Sequence, residues 1–420
     1  MAKLRIKNCG PVTRGLDSTD GFLNFGKYTL LIGDQGTGKS TVAKLFSICS
    51  WLEKSFFRGD YDISFFDAQD FQELYHNQLM DDSFNENTEF EYVGDSYHFL
   101  FKNLIFYAEI NNNSINKYIR PKIMYIPSER NILSIVKNVE DLENLPPMLR
   151  LLRIRYLQAS SNLNNDGIFS LPLLGYKTIL NTTNGETLVI EERSGKSVPL
   201  MCASSGLQSI VPSSIVTEYL SCQSQNNVLE KIRLLNGKNL SNLKMSISDV
   251  VVRSELEQYI TSGIAKSVSE SSLKVLEKIA QKYTDGFFMN IVEEPEQNLF
   301  PESQVKNIDF LINATNRNEK NQLIMTTHSP YVLSYITLGA KAYELSKKNI
   351  SSNEIEKVIP LSSWIDGKEC FVYQFNDGCI KSLPSYGRGL PSDNNMLNKS
   401  LGKVNDKFDL LLDLEEKFDN

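Results

Sequence analysis

The sequence predicts an α/β fold around a parallel sheet, on three observations. An apolar run, Tyr28–Ile32, ends at Gly33, and after the glycines Val42, Leu45, Phe46 and Ile48 recur at helical spacing within Ser40–Lys54. Phe287–Val292 and Leu323–Thr327 are short, nearly all-apolar runs of the kind buried between two helical layers. The composition is that of a globular chain. Its 420 residues are 41% hydrophobic and 23% charged, with 23 Gly and 14 Pro, which excludes disorder or a fibrous repeat.

The other elements follow in order. Residues 4–12 (LRIKNCGPV) alternate apolar and polar like a strand, and the aromatic-rich stretch 56–120 reads as strands and short helices. Lys122–Ile126 is a strand stopped by Pro127, and 131–165 reads as helix that Pro146-Pro147 must break. Residues 176–200 carry two turn signals, Asn184-Gly185 and Ser194-Gly195, and predict a three-stranded meander. From 206 to 285 the pattern is helical, with Leu273, Leu276, Ile279 and Tyr283 on one face. Cys370–Phe375, the Asn376-Asp377-Gly378 turn and Cys379–Lys381 form a hairpin, and 400–418 is acidic and amphipathic through Val404, Phe408, Leu411 and Leu412. The expected division is 1–130, a first lobe; 131–285, a helical lobe with the meander; 286–345, a second lobe; and 346–420, hairpin and helix.

Lys plus Arg number 44 against 51 Asp plus Glu, a formal charge of −7. A sequence-independent DNA coater is normally basic, so any nucleic acid would meet only a local patch. Arg150, Arg153 and Arg155 are the one candidate, and three arginines on a helix more often form a solvated or partner-facing surface. No run approaches the roughly 18 apolar residues of a membrane span. The start MAKLRIKNCGPV lacks the apolar segment of a signal peptide, and the six cysteines show no CxxC spacing. A cytoplasmic protein without a membrane partner is expected.

Four motifs carry chemistry. Gly33-Asp34-Gln35-Gly36-Thr37-Gly38-Lys39-Ser40 satisfies GxxxxGK[ST] between a strand and a helix that includes Thr41. Glycines let backbone N–H groups turn inward around phosphates, Lys39 reaches the β- and γ-phosphates, and Ser40 ligates Mg²⁺. Strand 287–292 runs into Glu293-Glu294-Pro295-Glu296-Gln297-Asn298. Carboxylates at such a strand end lie where an open α/β sheet places its ligand chemistry, Glu293 to hold Mg²⁺ through water and Glu294 to orient the attacking water. His328 closes the next strand within TTHSP and can sense a γ-phosphate. Ser204-Ser205-Gly206-Leu207-Gln208 precedes a helix, where hydroxyls and unpaired N–H groups make an anion site.

In this order the motifs resemble those of ABC-type ATPases of the SMC and OLD-like branch. IKNCGPV is similar to the branch's opening segment, EEPEQNLFP to its acidic box, TTHSPYVL to its histidine box, and ASSGLQS stands where the LSGGQ-type signature stands. YIPSERN occupies the Q-loop region without offering a Gln there. The resemblance implies a P-loop ABC-type ATPase head with a mixed or parallel sheet core, an antiparallel β lobe and a helical insertion. It implies ATP and Mg²⁺ as cofactors, with catalytic roles for Glu294, His328 and Lys39. Two ATP molecules would be shared between two copies, each met in trans by the partner's Ser204, Ser205, Gly206 and Gln208, with Glu296 and Asn298 in a D-loop at the dimer contact. The motif spacing leaves no room for a long coiled-coil arm, and the chain after His328 lacks the DxD pair of a TOPRIM nuclease.

Stand-alone ATPases of this kind resemble subunits of bacterial anti-phage defence systems, such as the AriA ATPase of PARIS, with Septu-type and RloA-like ATPases as relatives. The implied role is a self-associating sensor that controls a separate effector encoded nearby, TOPRIM-like in chemistry, with a phage protein or DNA as trigger. The alternatives are a scaffold that binds ATP with negligible turnover and an SMC-like DNA-processing ATPase.

Overall fold

The computed structural model describes residues 1–79, 84–112, 114–137, 139–162, 168–173, 175–180, 186–235, 237–348, 350–383 and 395–418. A seven-stranded mixed sheet runs through the molecule in the order Gly15–Leu16, Cys379–Ser382, Cys370–Asn376, Tyr28–Gly33, Gln322–Thr327, Phe287–Glu293, Pro121–Ile126. It draws strands from the first, third and fourth of the stretches delimited above. All six residues of Tyr28–Gly33 are buried, as the central strand of a sheet covered on both faces must be. Its side chains alternate between two cores. Leu30 and Ile32 face one shared with the helix Ser205–Ser224, and Leu31 faces another shared with the helix Lys39–Arg58.

That second core also holds a five-stranded antiparallel sheet, Leu23–Asn24, Lys3–Lys7, Glu89–Val93, Tyr97–Lys102 and Ile105–Ile110. The aromatic residues of 56–120 fill it: Phe71, Phe90 and Phe101 are fully enclosed, the last two stacked at 5.5 Å between centroids.

Two expectations change in the second stretch. The meander has four strands, because Ile168–Ser170 pairs with Tyr176–Leu180 and extends the Thr187–Glu191 and Ser197–Pro199 pairing. A three-residue strand carries too little alternation to be read from sequence. The Ser194-Gly195 turn is present, with Gly195 at φ +66, whereas Asn184-Gly185 lies outside the described residues. Ahead of Pro146-Pro147 the described residues form short 3₁₀ turns, Ser128–Ser134 and Val139–Asp141, and α-helix runs from Pro147 to Asn162. Helices between Val228 and Ala280 gather around a third core of their own, with Ile232, Leu243, Leu256 and Leu276 enclosed. The hairpin turn puts Asp377 and Gly378 at φ +47 and +74, the left-handed pair that a two-residue hairpin needs. No described helix is long and apolar enough to cross a membrane.

Candidate nucleotide site

The strands Cys370–Asn376, Tyr28–Gly33, Gln322–Thr327, Phe287–Glu293 and Pro121–Ile126 are mutually parallel neighbours. Their C-terminal ends therefore lie along one edge, about 5 Å apart. Onto that edge come the phosphate loop after Gly33, His328 after Thr327, the Glu293-Glu294 pair, and Arg130 after Ile126.

The loop is shaped by close approach. A Cβ on Gly33 would sit 2.6 Å from Phe375 O, and one on Gly38 would sit 2.5 Å from Val12 Cγ2. Gly36 and Gly38 hold φ of +70 and +98. Gly38 has no side chain with which to cap the helix Lys39–Arg58, so the helix's leading N–H groups and positive dipole end face the loop. Lys39 Nζ donates to Gly33 O (2.9 Å) and Asp34 O (2.7 Å), and Thr37 Oγ1 donates to Asp34 O (2.7 Å). Burial pulls the Lys39 ammonium down to about 8, against the attraction of Glu294, Asp34, Glu296 and Glu293. Gln35 is exposed, Ser40 is half-buried beside the loop, and Thr41 is buried in the helix's first turn.

Glu293 is buried and engaged at both oxygens, by the Tyr125 hydroxyl and by Ser128 N at 3.1 Å. Glu294 is half-buried at φ +43, a left-handed conformation that is costly for a residue with a side chain. Its N–H donates to Thr326 O (2.9 Å), and its Oε1 lies 3.4 Å from His328 Nε2. The hydrogen bond from His328 holds the Glu294 carboxyl below its ordinary range in spite of burial, with help from the charges of His328, Lys39 and Arg130. Glu294 and His328, the two residues expected to orient water and to sense a γ-phosphate, are thus brought together, within the electrostatic reach of Lys39.

Glu296 and Gln208 are directed elsewhere. Glu296 Oε1 accepts from Thr327 Oγ1 and from His328 N, both at 2.7 Å, which pins the histidine turn within the chain. Its Oε2 is buried without a partner, and burial raises its carboxyl. Asn298 is exposed at φ +59. Gln208 Nε2 donates to Met201 O (2.9 Å) and Leu200 O (3.4 Å), closing the turn ahead of its own helix. Ser204 is that helix's N-cap and makes no side-chain capping bond; Ser204 and Ser205 are exposed. Gly206 packs against the acidic loop, where a Cβ would meet Asn298 O at 2.8 Å.

Sequence reasoning missed Arg130. The residue is 1% exposed, and its guanidinium donates to Glu293 O (2.7 Å), Glu294 O (2.7 Å), Pro127 O (3.2 Å) and Ser209 O (3.2 Å). It ties the acidic strand end to the helix behind the serine-glycine turn. Burial lowers it to about 10, against the attraction of the three glutamates and Glu129. YIPSERN marked the segment, but only the fold shows which carbonyls the arginine reaches.

No protein-family profile and no curated protein matches the sequence. Among solved structures the chain is similar to the SMC head domain from Thermotoga maritima, at 10% identity, over 92% of this chain and 98% of that one, with a TM-score of 0.36. It is also similar to the Smc head domain with an extended coiled coil, bound to the C-terminal domain of ScpA, from Pyrococcus furiosus (9% identity, 97% and 99% covered, TM-score 0.36). A third similarity is to cbiO1 from Clostridium perfringens, part of the ABC transporter complex cbiONQ (12% identity, 98% of each chain, TM-score 0.29).

Proposed function

We propose that the chain binds and hydrolyses ATP as an ABC-type ATPase of the SMC and OLD-like branch. The observation that carries this reading is the convergence of Lys39, from the start of the sequence, with Glu294 and His328, from two later strands, on one edge of the parallel sheet. The loop N–H groups, the helix end and Lys39 hold the phosphates. Glu294, ionised by its contact with His328, takes a proton from water. His328, fixed through its N–H by Glu296, lies where a γ-phosphate is sensed.

Magnesium fits the donor set, which is all oxygen: the Ser40 hydroxyl and, through water, Glu293, whose two oxygens already accept hydrogen bonds. Among the described residues no group of three or more His, Cys, Asp or Glu side chains is arranged to hold a metal by itself, so phosphate oxygens and water would complete its coordination. The ion would neutralise charge on the phosphates.

Self-association through shared ATP sites is part of the proposal. The exposed Ser204 and Ser205 hydroxyls and the helix N-terminus behind them face outward and offer an anion site to a second copy. On the motif resemblance alone we extend the reading to a sensor in an anti-phage system that controls a separate TOPRIM-like effector. The DNA-processing reading is disfavoured by the arginine helix. Arg150 donates to Leu145 O at 3.2 Å, and Arg153 donates to Glu140 O at 3.3 Å and to Leu142 O, so both guanidinia are turned onto their own backbone.

The test is native mass by mass photometry with ATP and Mg²⁺, for wild type and Glu294→Gln, alone and with the neighbouring gene's product. An ATP-dependent dimer or larger assembly, stabilised by Glu294→Gln and capturing the neighbour, is expected. A monomer indifferent to ATP would overturn the shared site, and an assembly that ignores the neighbour would overturn the sensor role.

A further inference from the structure

At the opposite edge of the sheet, where Pro121–Ile126 and Phe287–Glu293 begin, lies a cavity of about 480 Å³. Its walls come from the last turns of the helix Lys39–Arg58, the helix Pro147–Asn162 and the helical stretch from Leu220 to Asp285. Six cationic side chains line it: Lys54, Arg58, Arg120, Lys122, Arg155 and Lys231. Asp285 is the single carboxylate among the lining residues. In a chain whose formal charge is −7, so one-sided a cluster is exceptional.

Asp285 cannot satisfy it. Lys54 Nζ is 2.7 Å from Asp285 Oδ1, Arg120 Nη2 is 3.1 Å from the same oxygen, and Lys122 Nζ is 3.8 Å from Oδ2. Arg120 is 3% exposed, and its Nε has no hydrogen-bond partner. Among the described residues Arg155 donates a hydrogen bond to Gln158 Oε1 (2.6 Å) and Lys231 one to Gly286 O (3.4 Å), and each feels Asp285 only through space. Arg58 is paired with Asp60, outside the lining. Burial disfavours the charged forms of Lys54, Lys122, Arg155 and Lys231, and lowers Lys54 to about 8. Burying cations in excess of their counter-charges is costly, and an anion in the cavity would reverse that cost.

We propose that this cavity binds a small ligand bearing two or more phosphate groups. Three guanidinium forks and three ammonium groups around one space match several phosphate oxygens at once. The volume is that of a small-molecule pocket. The most recessed groups, Arg120 at 3% and the Lys54 side chain at 12% exposed, lie too deep for the backbone of a duplex laid across the surface. Trp51 and Leu234 add an apolar wall for the rest of the ligand. The helix Lys39–Arg58 carries Lys39 at one end and Lys54 toward the other, and Arg120 and Asp285 precede the two strands that Arg130 and Glu294 follow, so both sites are built around the same elements.

The test titrates inorganic tripolyphosphate calorimetrically into full-length Lys39→Ala protein, in which the phosphate loop has lost its lysine. The same titration is made into Lys39→Ala carrying Arg155→Gln and Lys231→Gln, two positions whose side chains hold little else in the fold. One-to-one binding by the first protein, weakened about a hundredfold in the second, is expected from the loss of two charged contacts. Absence of binding by the Lys39→Ala protein, or equal affinity in both, would overturn the site. A 20-base-pair DNA duplex is titrated in parallel, and displacement of tripolyphosphate by the duplex would overturn the assignment to a small ligand.

Discussion

Arg130 offers the sharpest perturbation. Replacement by methionine keeps much of the side chain's volume and removes all four of its hydrogen bonds. Pro127 O still accepts from the backbone N–H of residue 130, and Ser209 O from the Ser213 hydroxyl. Glu294 O still accepts from the Gln297 N–H (3.0 Å), so Glu293 O is the acceptor that loses its short bond, and a buried acceptor left unsatisfied costs about 1–3 kcal/mol. The gain from no longer burying a guanidinium offsets part of this, so Arg130→Met should cost about 1 kcal/mol, read as the shift of the urea midpoint. Arg130→Lys keeps the charge but replaces the planar fork with a point donor that reaches one or two of the carbonyls. It should fold, and lose activity through position. Glu294 is held at φ +43 partly by the bond to its own carbonyl, and a shift of about 1 Å in a catalytic group can cost a hundredfold. The ATPase kcat of Arg130→Lys should fall about tenfold or more, with KM for ATP within about twofold of wild type, because the phosphate loop is untouched. An unchanged kcat, or a loss carried by KM, would refute the positioning role.

The other predictions concern the loop, the base and the turn. Lys39→Ala should weaken ATP binding about a hundredfold by calorimetry while the melting temperature of the unliganded protein changes little. Lys39 titrates at about 8, and phosphate binding needs it charged; the charge is complete below that pH and is lost above it. The apparent Kd for ATP should therefore rise about tenfold between pH 7 and pH 9, a trend absent from Lys39→Ala. Glu294→Gln should retain ATP binding and abolish steady-state phosphate release, measured with a phosphate sensor. Gly206→Ala should cost about 1–3 kcal/mol in denaturant unfolding, because its Cβ would lie 2.8 Å from Asn298 O in the same chain. For that reason Gly206→Asp would perturb the folded monomer as well as any partner's phosphate.

Much of this molecule is local, and local chemistry is legible in a sequence. The phosphate loop needs glycines where the backbone turns left-handed or passes another chain segment, so Gly33, Gly36 and Gly38 announce it without a partner in view. Buried parallel strands must be apolar on both faces, which makes Tyr28–Ile32, Phe287–Val292 and Leu323–Thr327 recognisable by composition. Glu294 and His328 could each be placed at a strand end by the same reasoning. Their 3.4 Å contact depends on which strands are neighbours, here the parallel pairing that sets Glu293 beside Thr326. Glu296, Gln208 and Arg130 show the same limit. Their spacing permits several partners, and only packing selects His328 N, Met201 O and the carbonyls of Glu293 and Glu294. The cationic cavity lies wholly beyond sequence patterning. Lys54, Arg120, Arg155, Lys231 and Asp285 have no common spacing, and burial brings them around one space because the ends of a helix and two strands coincide.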